Sequence, residues 1–355
     1  MSPSVRAAVF QALEEFGGLL FSEPGLCVYS RWLEQCRAAV SRLLGVDKFF
    51  PQGVAIIPNA SFGLGIVLNA LGLRPGALVI TSTHEHFALS SPLRLLSQKG
   101  VEVVALDQPT PQAFLDSIRR ELERPSVSLI AVSHVSYKDG RIFPIEDICR
   151  LAAQFEVPVL VDGTQAVGQV QPILTRFTPL AYVFSAHKWL FGPMGTGAMW
   201  VSREFVESFA GAWASPTPED VIDARRFEGG TVNVALVCGL CKAAEDATNK
   251  LEERIASLRA LRRRISEVIS ESLPMLKPLG WAGPHAPGIL SYELPAEISA
   301  AELVMRLGAK HGVWVKAFKP PETPNAIRIS YAPTTSDASL ERLIAALKAE
   351  LDSWQ

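Results

Sequence analysis

Two side chains set the chemistry of this sequence. Asp162 closes the apolar run Val159-Leu160-Val161 and is followed by Gly163-Thr164-Gln165, while Lys188 follows a second apolar run that ends in Ser185-Ala186-His187. A carboxylate and an amine, each delivered at a strand terminus and followed by a glycine-bearing loop, are the parts needed to hold a pyridoxal 5'-phosphate ring. The amine forms a Schiff base with the aldehyde, and the carboxylate sits against the ring nitrogen and keeps it protonated. Opposite unit charges about 4 Å apart are worth roughly 4 kcal/mol at an effective dielectric of about 20, enough to shift a pyridinium pKa by several units. Taken singly, Asp162-Gly163 reads as a strand-ending turn and Lys188 as a loop lysine. The two in one parallel-sheet order read as a cofactor site.

Other residues fit around that pair. Gln165 can donate to the ring's phenolate oxygen. Ile57-Pro58-Asn59-Ala60-Ser61-Phe62-Gly63 turns from a strand into an apolar helix whose first N–H groups suit a phosphate; alone, the segment reads as a helix cap by Asn59 or Ser61. Ser185 and His187 add donors beside Lys188. In Thr83-His84-Glu85-His86 the two imidazoles share a face, but nothing elsewhere completes a metal site, so His86 is read as stacking on an aromatic cofactor. His134 and Tyr137 follow another strand; Tyr137 is a hydrogen-bond donor or proton carrier, and His134 is as well explained by structure. Arg328, on the run Ile327-Arg328-Ile329-Ser330, can clamp a carboxylate through two parallel hydrogen bonds or form an ordinary ion pair. Cys238-Gly239-Leu240-Cys241 lies in a helical stretch without a second pair and reads as packing. Gly192 to Gly197 has the wrong glycine order for a dinucleotide loop and precedes a strand.

These groups need a sheet to gather them. Short apolar runs at 54–57, 77–80, 101–106, 129–132, 157–161, 181–184 and 198–201 alternate with helical segments, the pattern of an α/β domain whose largely parallel, seven-stranded sheet is covered on both faces. Catalytic groups then collect at the strands' carboxyl ends. An amphipathic helix opens the chain after Ser2-Pro3, and a long charged helix spans 236–272. Strands at 288–294, 313–318 and 326–330 follow, with helices from Ser299 and Ser336, so the C-terminal part is a small α+β domain. The expected division is residues 1–15 as a helix joining the small domain, 16–249 as the large domain and 250–355 as the small one. With 355 residues, 34 Lys plus Arg, 36 Asp plus Glu and a net charge of −2, no global field draws the protein to nucleic acid or anionic lipid. Five scattered cysteines, no membrane-length apolar run and no signal peptide predict a cytoplasmic protein without disulfides.

Val161-Asp162-Gly163-Thr164-Gln165-Ala166-Val167-Gly168, Phe184-Ser185-Ala186-His187-Lys188-Trp189, Gly192 to Gly197 and Arg226-Phe227-Glu228-Gly229-Gly230-Thr231 together resemble the class V aminotransferase family of fold-type I pyridoxal phosphate enzymes, which includes cysteine desulfurases, cystine C–S lyases and isopenicillin N epimerase-like proteins. The resemblance implies Lys188 as the Schiff-base lysine, Asp162 as the ring-nitrogen partner, Gln165 as the phenolate donor and His86 as the stacking residue. Ala60, Ser61, Ser185 and His187 would hold the phosphate, completed by Thr231 of a neighbouring subunit in a homodimer, and Arg328 would bind the substrate carboxylate. Desulfurases carry a nucleophilic cysteine on the loop before the arginine strand, whereas residues 316–325 contain none; they also carry asparagine where this chain has Tyr137. The family's usual opening strand and glycine loop has no counterpart here, which implies either a truncated N-terminus or an unusually open pocket. The expected activity is an external aldimine with a small L-amino acid, deprotonation at Cα by Lys188 and β-elimination of sulfur. Transamination, epimerisation and cofactor binding without catalysis are the alternatives.

Overall fold

The structure is a computed structural model that describes residues 1–17, 22–171, 174, 179–209, 222–320 and 323–354. The loops Ala212 to Arg225 and Phe318 to Asn325 therefore fall partly outside the described residues, at 212–221 and 321–322. The chain forms two compact units, Met1–Val135 with Phe143–Leu251, and Ser136–Ile142 with Glu252–Gln355.

In the larger unit, β1 (Val54–Ile57), β2 (Leu78–Ser82), β3 (Glu102–Leu106), β4 (Val127–Ser133), β5 (Val159–Asp162), β6 (Ala181–Ser185) and β7 (Gly197–Val201) form one sheet in the order β1-β7-β6-β5-β4-β2-β3. β7 runs antiparallel to both its neighbours, and the pairs from β6 through β3 are parallel. The continuous apolar runs are explained by burial: every residue of β1, β2, β5, β6 and β7 is inaccessible. The alternating α/β pattern read from the sequence holds.

Helices α1 (Pro3–Gly17), α2 (Glu23–Leu44), α3 (Ala60–Leu71), α4 (Phe87–Gln98), α5 (Pro111–Leu122), α6 (Ile145–Ala153) and α7 (Arg203–Ser208) belong to this unit with the first part of α8 (Val234–Ser272). Residues 1–15 were expected to join the small domain. They lie with the larger unit instead, because Val9 and Ala12 pack on Ala235 and the Ser4 hydroxyl donates to Asp246 at 2.6 Å.

The smaller unit contains a four-stranded sheet of β8 (Lys277–Pro278), β9 (Ile289–Glu293), β10 (Lys316–Phe318) and β11 (Ala326–Ser330), in the order β10-β11-β9-β8 with every pair antiparallel. Its helices α9 (Ala300–His311) and α10 (Asp337–Asp352) are capped by the hydroxyls of Ser299 and Ser336. Residues 136–142 also belong here. Ala286 N–H donates to Gly140 O at 2.7 Å and the Ser291 hydroxyl to Lys138 O at 2.6 Å, which binds this segment to β9 and the turn before it.

Candidate functional site

Asp162, Ser133, Ser82 and Ser185 are the last residues of four strands, so their side chains gather at the carboxyl edge of the large sheet. Asp162 is buried, and its Oδ1 accepts the Thr164 N–H at 2.9 Å. Burial pushes its carboxyl pKa up, against the Thr164 hydrogen bonding and the nearby Lys188 charge, which lower it. A buried carboxylate in that balance gains from a second cationic donor, which is what a pyridinium N–H supplies.

Glycines make the turn after Asp162 possible. A Cβ on Gly163 would lie 2.2 Å from the Tyr182 ring, and one on Gly168 would lie 2.2 Å from the Trp189 carbonyl oxygen. The Asp162 loop therefore packs directly on β6 and on the turn that carries Lys188. Tyr182 is fully buried and its hydroxyl shares a 2.8 Å hydrogen bond with His134 Nδ1. Burial pulls the His134 pKa down to about 4, so His134 is a neutral support beneath Asp162, whose carbonyl accepts the His134 N–H at 2.9 Å.

The start of α3 lies beside the end of β6. Asn59 Oδ1 accepts the Phe62 N–H at 3.0 Å and Ser185 Oγ accepts the Ala60 N–H at 2.9 Å. Asn59 thus caps the helix, as the plainer reading of that segment had it, while the Ser61 N–H, in the first turn where no intrahelical partner exists, stays open. His187 Nδ1 is buried and has no hydrogen-bond partner. Burial, with the Lys188 charge adding to it, lowers the His187 pKa and keeps the ring neutral. An open helix N-terminus, a serine hydroxyl and an orphaned imidazole nitrogen fit an oxyanion such as the cofactor phosphate. Lys188 itself is exposed.

His86 caps α4: its Nδ1 accepts the Ala88 N–H at 3.2 Å, which leaves Nε2 as the protonated nitrogen, and its ring lies 3.9 Å from that of Phe87. His84 pairs with Asp107 at 3.2 Å. Gln165 Oε1 accepts the Trp189 indole N–H at 2.7 Å. Thr231 is exposed in the loop before α8. That loop is pinned by Glu228, which accepts the Ile56 N–H at 2.7 Å and Arg37 Nε at 3.0 Å. Cys238 and Cys241 are pushed by burial to about 12 and about 11, so neither is a thiolate nucleophile near neutral pH.

In the smaller unit, Arg328 Nη1 donates to the Tyr137 carbonyl at 2.6 Å, and the Tyr137 ring stands edge-on to Phe318 at 5.7 Å. Arg328 Nε is buried without a partner, and burial lowers the guanidinium pKa. A desolvated guanidinium with an unused N–H fits a carboxylate.

Glu85 was read only as a neighbour of His84 and His86. It is buried, accepts the Ser133 hydroxyl at 2.6 Å and that of Ser82, and so ties the ends of β2 and β4 together. Burial is the largest cause that raises its pKa, to about 7, with the Asp162 charge adding to it. The folded chain then holds a proton that the unfolded chain releases near pH 4.5, so stability falls as pH rises from about 4.5 to about 7, by an amount on the order of 3 kcal/mol. Glu85→Gln is expected to flatten that part of the stability curve, measured by denaturant unfolding between pH 4.5 and 8. A slope unchanged by the substitution would refute the assignment. No sequence pattern marks Glu85 as special; only the convergence of strand ends does.

A family profile described as class-V aminotransferase matches residues 29–342. The chain is 29% identical over 231 residues to a probable cysteine desulfurase of Xylella fastidiosa, covering 60% of this chain and 53% of that protein. It is 26% identical over 345 residues to the isopenicillin N epimerase of Streptomyces clavuligerus, covering 89% of this chain and 84% of that protein. The chain spans about half the length of the first of these relatives. Among solved structures it resembles the cystine C-S lyase C-DES in complex with its reaction product cysteine persulfide, with a TM-score of 0.84, 21% identity, and coverage of 98% of this chain and 94% of that one. At that identity the likeness speaks to the fold.

Proposed function

The chain belongs to the class-V aminotransferase family, and from that premise we propose that it binds pyridoxal 5'-phosphate and acts on a small L-amino acid as a C–S lyase. When bound, the cofactor supplies an electron sink for the pair released at the amino acid's Cα. Lys188 provides the amine that holds the aldehyde and, once displaced by the substrate's amino group, carries the Cα proton. Asp162 holds the ring nitrogen's proton, Gln165 donates to the phenolate oxygen and His86 lies against the ring. Ala60, Ser61, Ser185 and His187 hold the phosphate. Thr231, exposed on a pinned loop, closes the cup of a second copy in a homodimer. Arg328 takes the substrate carboxylate with Tyr137 beside it.

The observation that carries this reading is a set of buried polar groups: the Asp162 carboxylate, whose charge burial opposes, an orphaned nitrogen in His187 and an orphaned guanidinium N–H in Arg328. Each matches one group of the cofactor or substrate. Elimination is favoured over sulfur transfer because residues 316–325 offer no thiol to receive the sulfur, so it leaves with the product.

Cystine is expected to give pyruvate, ammonia and cysteine persulfide. Neither pyruvate nor any sulfur product from cysteine or cystine would refute elimination. Arg328→Lys is expected to raise KM for the amino acid about 10- to 100-fold, because one charge-assisted fork is exchanged for a point charge. An unchanged KM would remove Arg328 from the carboxylate site. Epimerisation is the second reading, supported by the alignment along most of the chain with an isopenicillin N epimerase. Solvent deuterium entering Cα with inversion and no pyruvate would select it.

A further inference from the structure

The geometry points to Trp189 as a positioning residue that fixes which end of the Gln165 amide faces the cofactor. The inference rests on the proposed binding of pyridoxal phosphate and concerns a residue that does not itself touch the ring in that reading.

An amide can present either its oxygen or its NH2, and the two look alike in shape. An indole N–H can only donate. The atom 2.7 Å from Trp189 Nε1 is therefore the Gln165 carbonyl oxygen, Oε1, and the NH2 group lies on the other branch of the amide. Gln165 Nε2 has no hydrogen-bond partner among the described residues, so it is available as a donor.

Both partners of this bond are held in place. Trp189 is only 8% exposed, and its backbone lies against Gly168 so closely that a Cβ at 168 would be 2.2 Å from its carbonyl oxygen. The turn it belongs to closes through a Phe191 N–H to Lys188 O hydrogen bond of 3.0 Å, with Phe191 in the left-handed region at φ 58°. Gln165 is anchored at its backbone by Gln169, which is fully buried and donates from Nε2 to Gln165 O at 2.7 Å. The turn that carries Lys188 thus also carries the group that sets the polarity of Gln165.

The consequence is electrostatic. A donor toward the ring oxygen stabilises the phenolate, whereas a flipped amide would set its own oxygen against that charge. Without the indole N–H both orientations are open, and the phenolate loses part of its stabilisation. More negative charge on that oxygen holds the neighbouring proton on the cofactor's nitrogen more tightly.

The test uses the full chain loaded with pyridoxal phosphate. Trp189→Phe keeps an aromatic ring, though a smaller one, and removes the N–H. It is expected to weaken cofactor binding about three- to tenfold and to raise the pH midpoint of the cofactor's visible absorption transition by about half to one unit. Gln165→Ala is expected to shift the midpoint the same way, and the double variant to add nothing beyond Gln165→Ala. A midpoint and affinity unchanged in Trp189→Phe, or shifts that add independently, would overturn the inference. Should Trp189→Phe fail to fold, hydrogen exchange of the Trp189 indole in the cofactor-free protein decides. Gln165→Ala is expected to speed it at least about tenfold, and an unchanged rate overturns the inference. A wild-type chain with no visible band at all would instead overturn the cofactor reading, and this inference with it.

Discussion

Lys188→Ala is expected to retain reversible pyridoxal phosphate binding while losing covalent attachment and at least about a thousandfold in turnover. Two proposed roles end with one side chain: the amine that bonds the aldehyde, and the base that moves the Cα proton, which alone is worth about 10²- to 10⁴-fold. The phosphate contacts proposed for Ser61, Ser185 and His187 do not involve this side chain, so the cofactor is expected still to bind and to be lost on gel filtration. Borohydride reduction followed by peptide mapping is expected to find the cofactor on position 188 of the wild type and on no residue of the variant. Because Lys188 is exposed, the substitution costs little stability. Label on another lysine would remove the central residue of the proposal.

Asp162→Asn separates electrostatics from architecture. The carboxamide has the same shape and can keep the Thr164 hydrogen bond at its oxygen, but it no longer carries the charge proposed to hold the ring nitrogen's proton. A loss of roughly 4 kcal/mol corresponds to about a thousandfold in turnover. Burial works against the carboxylate charge in the folded chain, so the variant is expected to melt no lower than the wild type. Falling activity with constant or rising melting temperature marks a charge effect, whereas both falling together would mark a structural one. Turnover within about tenfold of wild type would show that Asp162 does not serve the ring nitrogen.

Five strands of the large sheet, β1, β2, β5, β6 and β7, were legible because they are buried throughout and therefore read as apolar runs, whereas β3 is partly exposed along its length. The two helices expected from Ser299 and Ser336 start there, each capped by the serine hydroxyl. Three features were hidden for physical reasons. β8 has two residues and both are exposed, so no apolar pattern announces it. The segment 136–142 lies within the stretch of the large domain, and its membership of the smaller unit comes from hydrogen bonds to residues far along the chain. α1 carries the expected helical spacing, but spacing does not say which surface it meets.

Within the proposed site, Lys188 and Asp162 stood out as a pair in one parallel-sheet order, since singly each reads as an ordinary loop or turn residue. The hydrogen bonds of Glu85 and Trp189 were not legible because they depend on partners at 82, 133 and 165, and no spacing along the chain encodes those meetings.

The pairing of β1 with β7 also fixes an order of events during synthesis. Val54–Ile57 align with residues 197–200, so β1 waits through the translation of all the other strands of its sheet before its neighbour emerges. At about 5–20 residues per second that delay is roughly 10–30 s, during which a wholly apolar strand has an unpaired edge. The Ala60 N–H waits for Ser185 over much the same interval. The proposed phosphate cradle is therefore among the last parts of the sheet edge to assemble, and nascent chains halted before residue 197 are expected to be the ones most exposed to aggregation.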